Sequence, residues 1–98
     1  MDRQTVIDRL SARQGELRAL GITRLALFGS TARGEAGPDS DVDLAAELDD
    51  AAAIDLFRYA DISERIADML GTRVDLVSEP SRSPRLQAEI DRDRVRVF

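Results

Sequence analysis

Apolar positions along the first twenty residues fall near helical spacing. Val6, Ile7, Leu10, Leu17 and Leu20 predict one helix over residues 5–20, with Asp2 as N-terminal cap, Gln14 interrupting the stripe and Gly21 ending it. Residues 23–28 (TRLALF) are short, apolar and β-compatible, and predict a strand that enters the core and is broken by Gly29. Residues 30–34 predict a short helix and residues 35–40 a polar loop. Over residues 41–48 Val42 and Leu44 alternate with Asp41 and Asp43, which predicts a second strand with both carboxylates on one face. Residues 53–70 carry the broadest stripe, from Leu56 through Tyr59, Ile62 and Ile66 to Leu70, and Gly71 ends that helix. Residues 73–77 predict a third strand with Val74 and Leu76 on one side and Arg73, Asp75 and Val77 on the other. Pro84 opens a short helix to residue 90, and residues 95–98 read as an edge strand or a tail packed on the core. Helices alternating with short strands predict an α/β layer structure.

Length limits this to one domain over residues 1–98, with a thin core. Nineteen acidic residues outnumber fourteen basic ones, for a net charge of −5, which argues against direct nucleic-acid binding. Every basic residue is arginine, and those at 82, 85, 92, 94 and 96 alternate with acids in a stretch whose bland reading is a solvated tail. There is neither cysteine nor histidine, so disulfides, thiolate zinc sites and imidazole acid–base chemistry are excluded. No apolar run is long enough to span a membrane, and the expected location is the cytoplasm.

What remains is carboxylate, hydroxyl and guanidinium chemistry, and it concentrates in FGSTARGEAGPDSDVDL, residues 28–44. Asp41 and Asp43 stand at i and i+2 on a strand, and Asp75 sits on another, so neighbouring strands would bring three carboxylates together. Such a cluster demands a cation, and magnesium fits because it takes a few carboxylates plus phosphate oxygens and water. Gly29 lets the backbone approach a ligand. Ser30 and Thr31 offer amides at the start of a helical turn, and Ser30 a hydroxyl as well. Arg33 is the nearest cation for a phosphate, and Ser40 closes the loop before the carboxylate pair. The expected reaction is in-line attack on the α-phosphorus of a nucleoside triphosphate with loss of pyrophosphate.

GSTARG at residues 29–34, followed by SDVDL at 40–44, resembles the signature of the polymerase-β-like nucleotidyltransferases. The short length is similar to the minimal nucleotidyltransferase group, whose members are often encoded beside a HEPN-domain protein as a toxin–antitoxin pair. The resemblance implies a short mixed sheet with helices packed against it. It implies a phosphate-gripping turn at Gly29 and Ser30, a metal-binding pair at Asp41 and Asp43, and a third carboxylate at Asp75. Arg33 lies at the motif arginine. It further implies ATP as substrate, two Mg2+ ions, and transfer of AMP to a tyrosine of a cognate HEPN toxin, which neutralises the toxin. Two alternatives stand beside this: an antitoxin that acts by binding alone, and a small-molecule (antibiotic) nucleotidyltransferase.

Overall fold

Four strands form one mixed sheet in the computed structural model, which describes residues 1–98. The elements are α1 (Arg3–Ser11), α2 (Gln14–Ala19), β1 (Ile22–Phe28), α3 (Gly29–Arg33), β2 (Val42–Leu48), a 3-10 turn (Asp50–Ala52), α4 (Leu56–Leu70), β3 (Val74–Ser78), α5 (Pro84–Asp93) and β4 (Val95–Arg96). The strand order is β3-β2-β1-β4. β1 pairs antiparallel with both β2 and β4, and β2 pairs parallel with β3, which follows it through the α4 crossover.

Strand alternation divides the apolar residues between two faces. Leu25 and Leu27 of β1, Val42, Leu44 and Ala46 of β2 and Leu76 of β3 pack with Val6, Leu10, Leu17, Ile62, Ile66 and Leu70 from α1, α2 and α4. Phe28, Ala45 and Val77 point the other way, against Leu86 and Ile90 of α5. The second face is therefore covered by one helix, and the acidic residues of β2 and β3 lie beside it.

Three helical boundaries differ from the sequence reading, one of them the end of α5, which runs on to Asp93 rather than stopping at residue 90. The single helix expected over residues 5–20 is broken at Ala12 and Arg13 into α1 and α2. The six residues between Leu10 and Leu17 bring no buried side chain, so packing does not hold the helix through that stretch. Asp2 caps α1 as expected, its carboxylate accepting from the Thr5 amide at 2.7 Å. The long helix starts at Leu56, capped by Asp55, because residues 50–52 form a separate turn capped by Asp49. Leu56 consequently falls off the buried stripe. It is 78% exposed and Phe57 beside it 85% exposed, while Ile62, Ile66 and Leu70 are buried.

Tyr59 fastens α4 to β3, its hydroxyl donating to the Leu76 carbonyl. Burial, and secondarily the charge of Asp75, pushes its pKa up, so the phenol stays protonated and remains a donor. Tyr59→Phe is expected to cost about 1 kcal/mol, the net worth of one such bond. Denaturant unfolding checks this, and an unchanged midpoint would show that the bond adds nothing.

Candidate active site

β1 ends at Phe28, and Gly29 begins α3 with φ +72°. Across the sheet, Phe28 pairs with Asp43, and Asp43 pairs with Asp75. These three positions form one row over three strands, each about 4.8 Å from the next. A β-carbon on Gly29 would collide with Oδ2 of Asp43 and come within 3.1 Å of its Cγ. The glycine therefore serves two needs: a left-handed backbone and room for a carboxylate pressed against the turn.

A cleft of about 430 Å3 opens over this row. Its lining includes Gly29, Ser30 and Arg33 from the turn, Asp43 and Asp75 from the sheet, and Glu89, Arg92 and Asp93 from α5. Burial raises the Asp43 pKa most, and the charges of Asp75, Asp41 and Glu89 add to it, while Arg33 opposes them. Arg33 donates to Glu35 at 3.0 Å and to Asp93 at 2.7 Å. Asp93 also receives Arg92, and these guanidinium bonds hold its carboxyl below the usual range.

The remaining expected residues lie elsewhere. Asp41 sits one position ahead of β2, and its carboxylate pairs with Nε of Arg73 at 3.1 Å on an exposed surface. It adjoins Tyr59, Ser63 and Val74 rather than the cleft. No three acidic side chains gather closely enough to hold a metal ion as they stand. Thr31 is buried at 1% exposure, its hydroxyl has no hydrogen-bond partner, and it faces the side lined by Met1, Arg3 and Pro38. The Ser40 hydroxyl accepts from the Gly37 amide at 3.0 Å and so closes the loop.

Residues 5–97 match the nucleotidyltransferase domain family. The chain belongs to that family. Among its relatives, the protein adenylyltransferase MntA of Thermococcus cleftensis is 38% identical over 73 residues, 74% of this chain and 72% of that protein. A solved structure described as a minimal nucleotidyltransferase superposes with a TM-score of 0.80 at 36% identity, covering 97% of this chain and 95% of the other. A chain in the solved complex of a tri-AMPylated HEPN toxin of Shewanella oneidensis with an MNT antitoxin shares the fold at a TM-score of 0.65 and 22% identity, over 90% of this chain and 68% of that one. Membership in the minimal, MntA-related group implies nucleotidyl transfer supported by Mg2+ and ATP.

In this nucleotidyltransferase the residues that motif reading missed come from α5. Glu89, Arg92 and Asp93 lie about fifty residues beyond the signature. One signal pointed to them: Leu86, Glu89, Ile90 and Asp93 follow i, i+3, i+4, i+7 spacing, so both acids share the apolar face of a helix that packs on the sheet.

The Arg73–Asp41 pair bears on metal binding. Exposed ion pairs contribute about 0–1 kcal/mol, so little holds Asp41 away from a cation. Arg73→Ala is expected to tighten Mg2+ binding by up to about fivefold, the most that energy allows. Calorimetric titration with Mg2+ and ATP checks this, and weaker binding in the variant would show that Arg73 helps the site.

Proposed function

We propose that this chain is a Mg2+-dependent adenylyltransferase that moves AMP from ATP to a tyrosine hydroxyl of a cognate HEPN toxin and thereby neutralises it. The observation that carries this reading is the pressed contact of Gly29 on Asp43, with Asp75 in register beside it. A turn that had only to reverse the chain has no use for a half-buried carboxylate under its first residue.

The residues present fit a hard divalent cation. Asp43 and Asp75 offer only oxygen donors, and the burial and, secondarily, the like-charge repulsion that raise the Asp43 pKa are both offset by a positive charge beside it. Asp43 and Asp75 are the proposed metal ligands, joined by Asp41 once its carboxylate leaves Arg73; two ions are expected. When bound, magnesium neutralises these carboxylates and the triphosphate and polarises the reacting phosphoryl group.

The chain's own groups do the rest. Gly29 and Ser30 present amides and a hydroxyl to the phosphates, Arg33 meets them from the side, and Thr31 and Ser40 support the turn and loop from outside the cleft. The acceptor oxygen attacks the α-phosphorus, the new P–O bond forms as the bond to the β-phosphate oxygen breaks, and pyrophosphate leaves. Asp75 takes the acceptor's proton. With this grip, positioning supplies much of the catalysis.

A protein acceptor agrees with the open cleft and with the exposed apolar pair Leu56 and Phe57, which gives a partner a surface to cover. The toxin as partner rests on the MntA relative and on the fold shared with a toxin–antitoxin complex. No helix is long and apolar enough to cross a membrane, and a cytoplasmic location is proposed on that ground.

The decisive experiment incubates the protein with labelled ATP, Mg2+ and its cognate HEPN toxin. Gain of an AMP unit on the toxin, with loss of toxicity, is the expected result. Silencing without any mass gain would replace transfer with binding alone.

A further inference from the structure

α5 makes the second wall of the cleft, and its last turn brings Arg92 to the same carboxylate that holds Arg33. Asp93 receives Nη1 of Arg33 at 2.7 Å on Oδ2, and Nε and Nη2 of Arg92 at 3.1 and 3.2 Å on Oδ1 and Oδ2. Its side chain is only 6% exposed, so it is a covered anion spanned by two guanidinium groups. Asp93 offsets one of those two charges, and the exposed Glu35, 3.0 Å from Nε of Arg33, offsets the other, so what the pair offers a phosphate is its free N–H donors. These bonds use Nε and Nη1 of Arg33 and Nε and Nη2 of Arg92, which leaves Nη2 of the first and Nη1 of the second without a protein acceptor. Both arginines line the cleft with Gly29 and Ser30.

We infer that Arg92 is a triphosphate-binding residue of this enzyme, paired with Arg33 across Asp93. The inference rests on the nucleotide reading of the cleft. Its chemistry is simple. The cleft carries Asp43 and Asp75 on the sheet side and Glu89 on α5, so an ATP tail of several negative charges needs arginine donors among them. The motif supplies one arginine, and it is already shared between Glu35 and Asp93. Arg92 adds a second planar donor, pre-set by its bidentate contact with Asp93, so less side-chain freedom is lost when phosphate arrives. A C-terminal arginine whose role the sequence leaves open between a solvated tail and a partner contact thus becomes part of the phosphate grip.

The test compares Mg2+–ATP binding by calorimetry for the wild type, Arg92→Ala, Arg92→Gln and Arg82→Ala. Arg82 lies exposed ahead of α5 and outside the cleft lining, and its removal changes net charge by the same amount. Loss of a charge-assisted contact to phosphate is expected to weaken ATP binding by about tenfold or more in both Arg92 variants, while Arg82→Ala stays within about twofold. Two independent Arg92 substitutions, each with a thermal melt, separate a binding loss from unfolding. If both Arg92 variants bind ATP as Arg82→Ala does, the inference is overturned and the nucleotide reading stands. If the wild type binds no ATP in the presence of Mg2+, the reading and the inference fall together.

Discussion

Asp43→Asn is expected to abolish adenylyl transfer while raising the melting temperature of the metal-free protein. Both effects follow from the same group. Asp43 is partly covered by the Gly29 turn and faces Asp75 in register, so its charged form is disfavoured when no cation is present. Asparagine keeps the shape and removes the repulsion. It also removes a metal ligand, and loss of several kcal/mol of transition-state stabilisation corresponds to a rate lower by about 10^3-fold or more. The pH dependence has a definite sign. The folded-state pKa of Asp43 is raised, so its contribution to stability is fully present below the unfolded pKa and is lost as pH rises through the folded one. Metal-free wild type therefore gains stability on acidification across that window, and Asp43→Asn lacks that part of the gain. Mg2+ is expected to raise the wild-type melting temperature near neutral pH and to leave the variant nearly unchanged. Melting curves with and without Mg2+ at several pH values check this. Equal responses to Mg2+ in the two proteins would remove Asp43 from the metal site.

Gly29→Ala has the second-largest expected effect. The substitution places a side chain at φ +72°, where an L-residue is strained by about 1–2 kcal/mol, and drives a methyl group into the Asp43 carboxylate. The carboxylate must move, and a displacement near 1 Å in a positioned group costs about 10^2-fold in rate. Gly34→Ala is the control. Gly34 has φ +75° and nothing within 4 Å of an added β-carbon, so it carries the strain without the collision. Both variants are expected to lose the stability that the strain costs, Gly29→Ala more because of its collision, but only Gly29→Ala to lose transfer by about 10^2-fold. Equal losses of activity would show that the turn acts through backbone strain rather than through the position of Asp43.

The legible parts of this protein were local. Strands β1, β2 and β3 and helix α4 were readable because each pairs a clear apolar period with a glycine or polar stop. The run from Gly29 to Asp43 was readable because its chemistry is contiguous, and the parallel register then sets Asp75 beside Asp43. The break between α1 and α2 was less legible, because Leu10 and Leu17 stand two helical turns apart and a straight helix satisfies that spacing equally well. Asp41 was placed with Asp43 by alternation, but the strand starts one residue later, and an exposed arginine across the strand pair draws Asp41 outward.

The sequence by itself determined the class of chemistry. Without histidine or cysteine, and with carboxylates following a glycine–serine turn, only oxygen ligands, hydroxyls and guanidinium groups were on offer. Tertiary structure alone decided which of them meet. Strand pairing put Asp43 and Asp75 in one row, and packing of Leu86 and Ile90 against Phe28 and Ala45 carried Glu89, Arg92 and Asp93 over that row. The physical reason is that period and composition act within an element, whereas the partner of a charged side chain is set by how the apolar faces of distant elements pack.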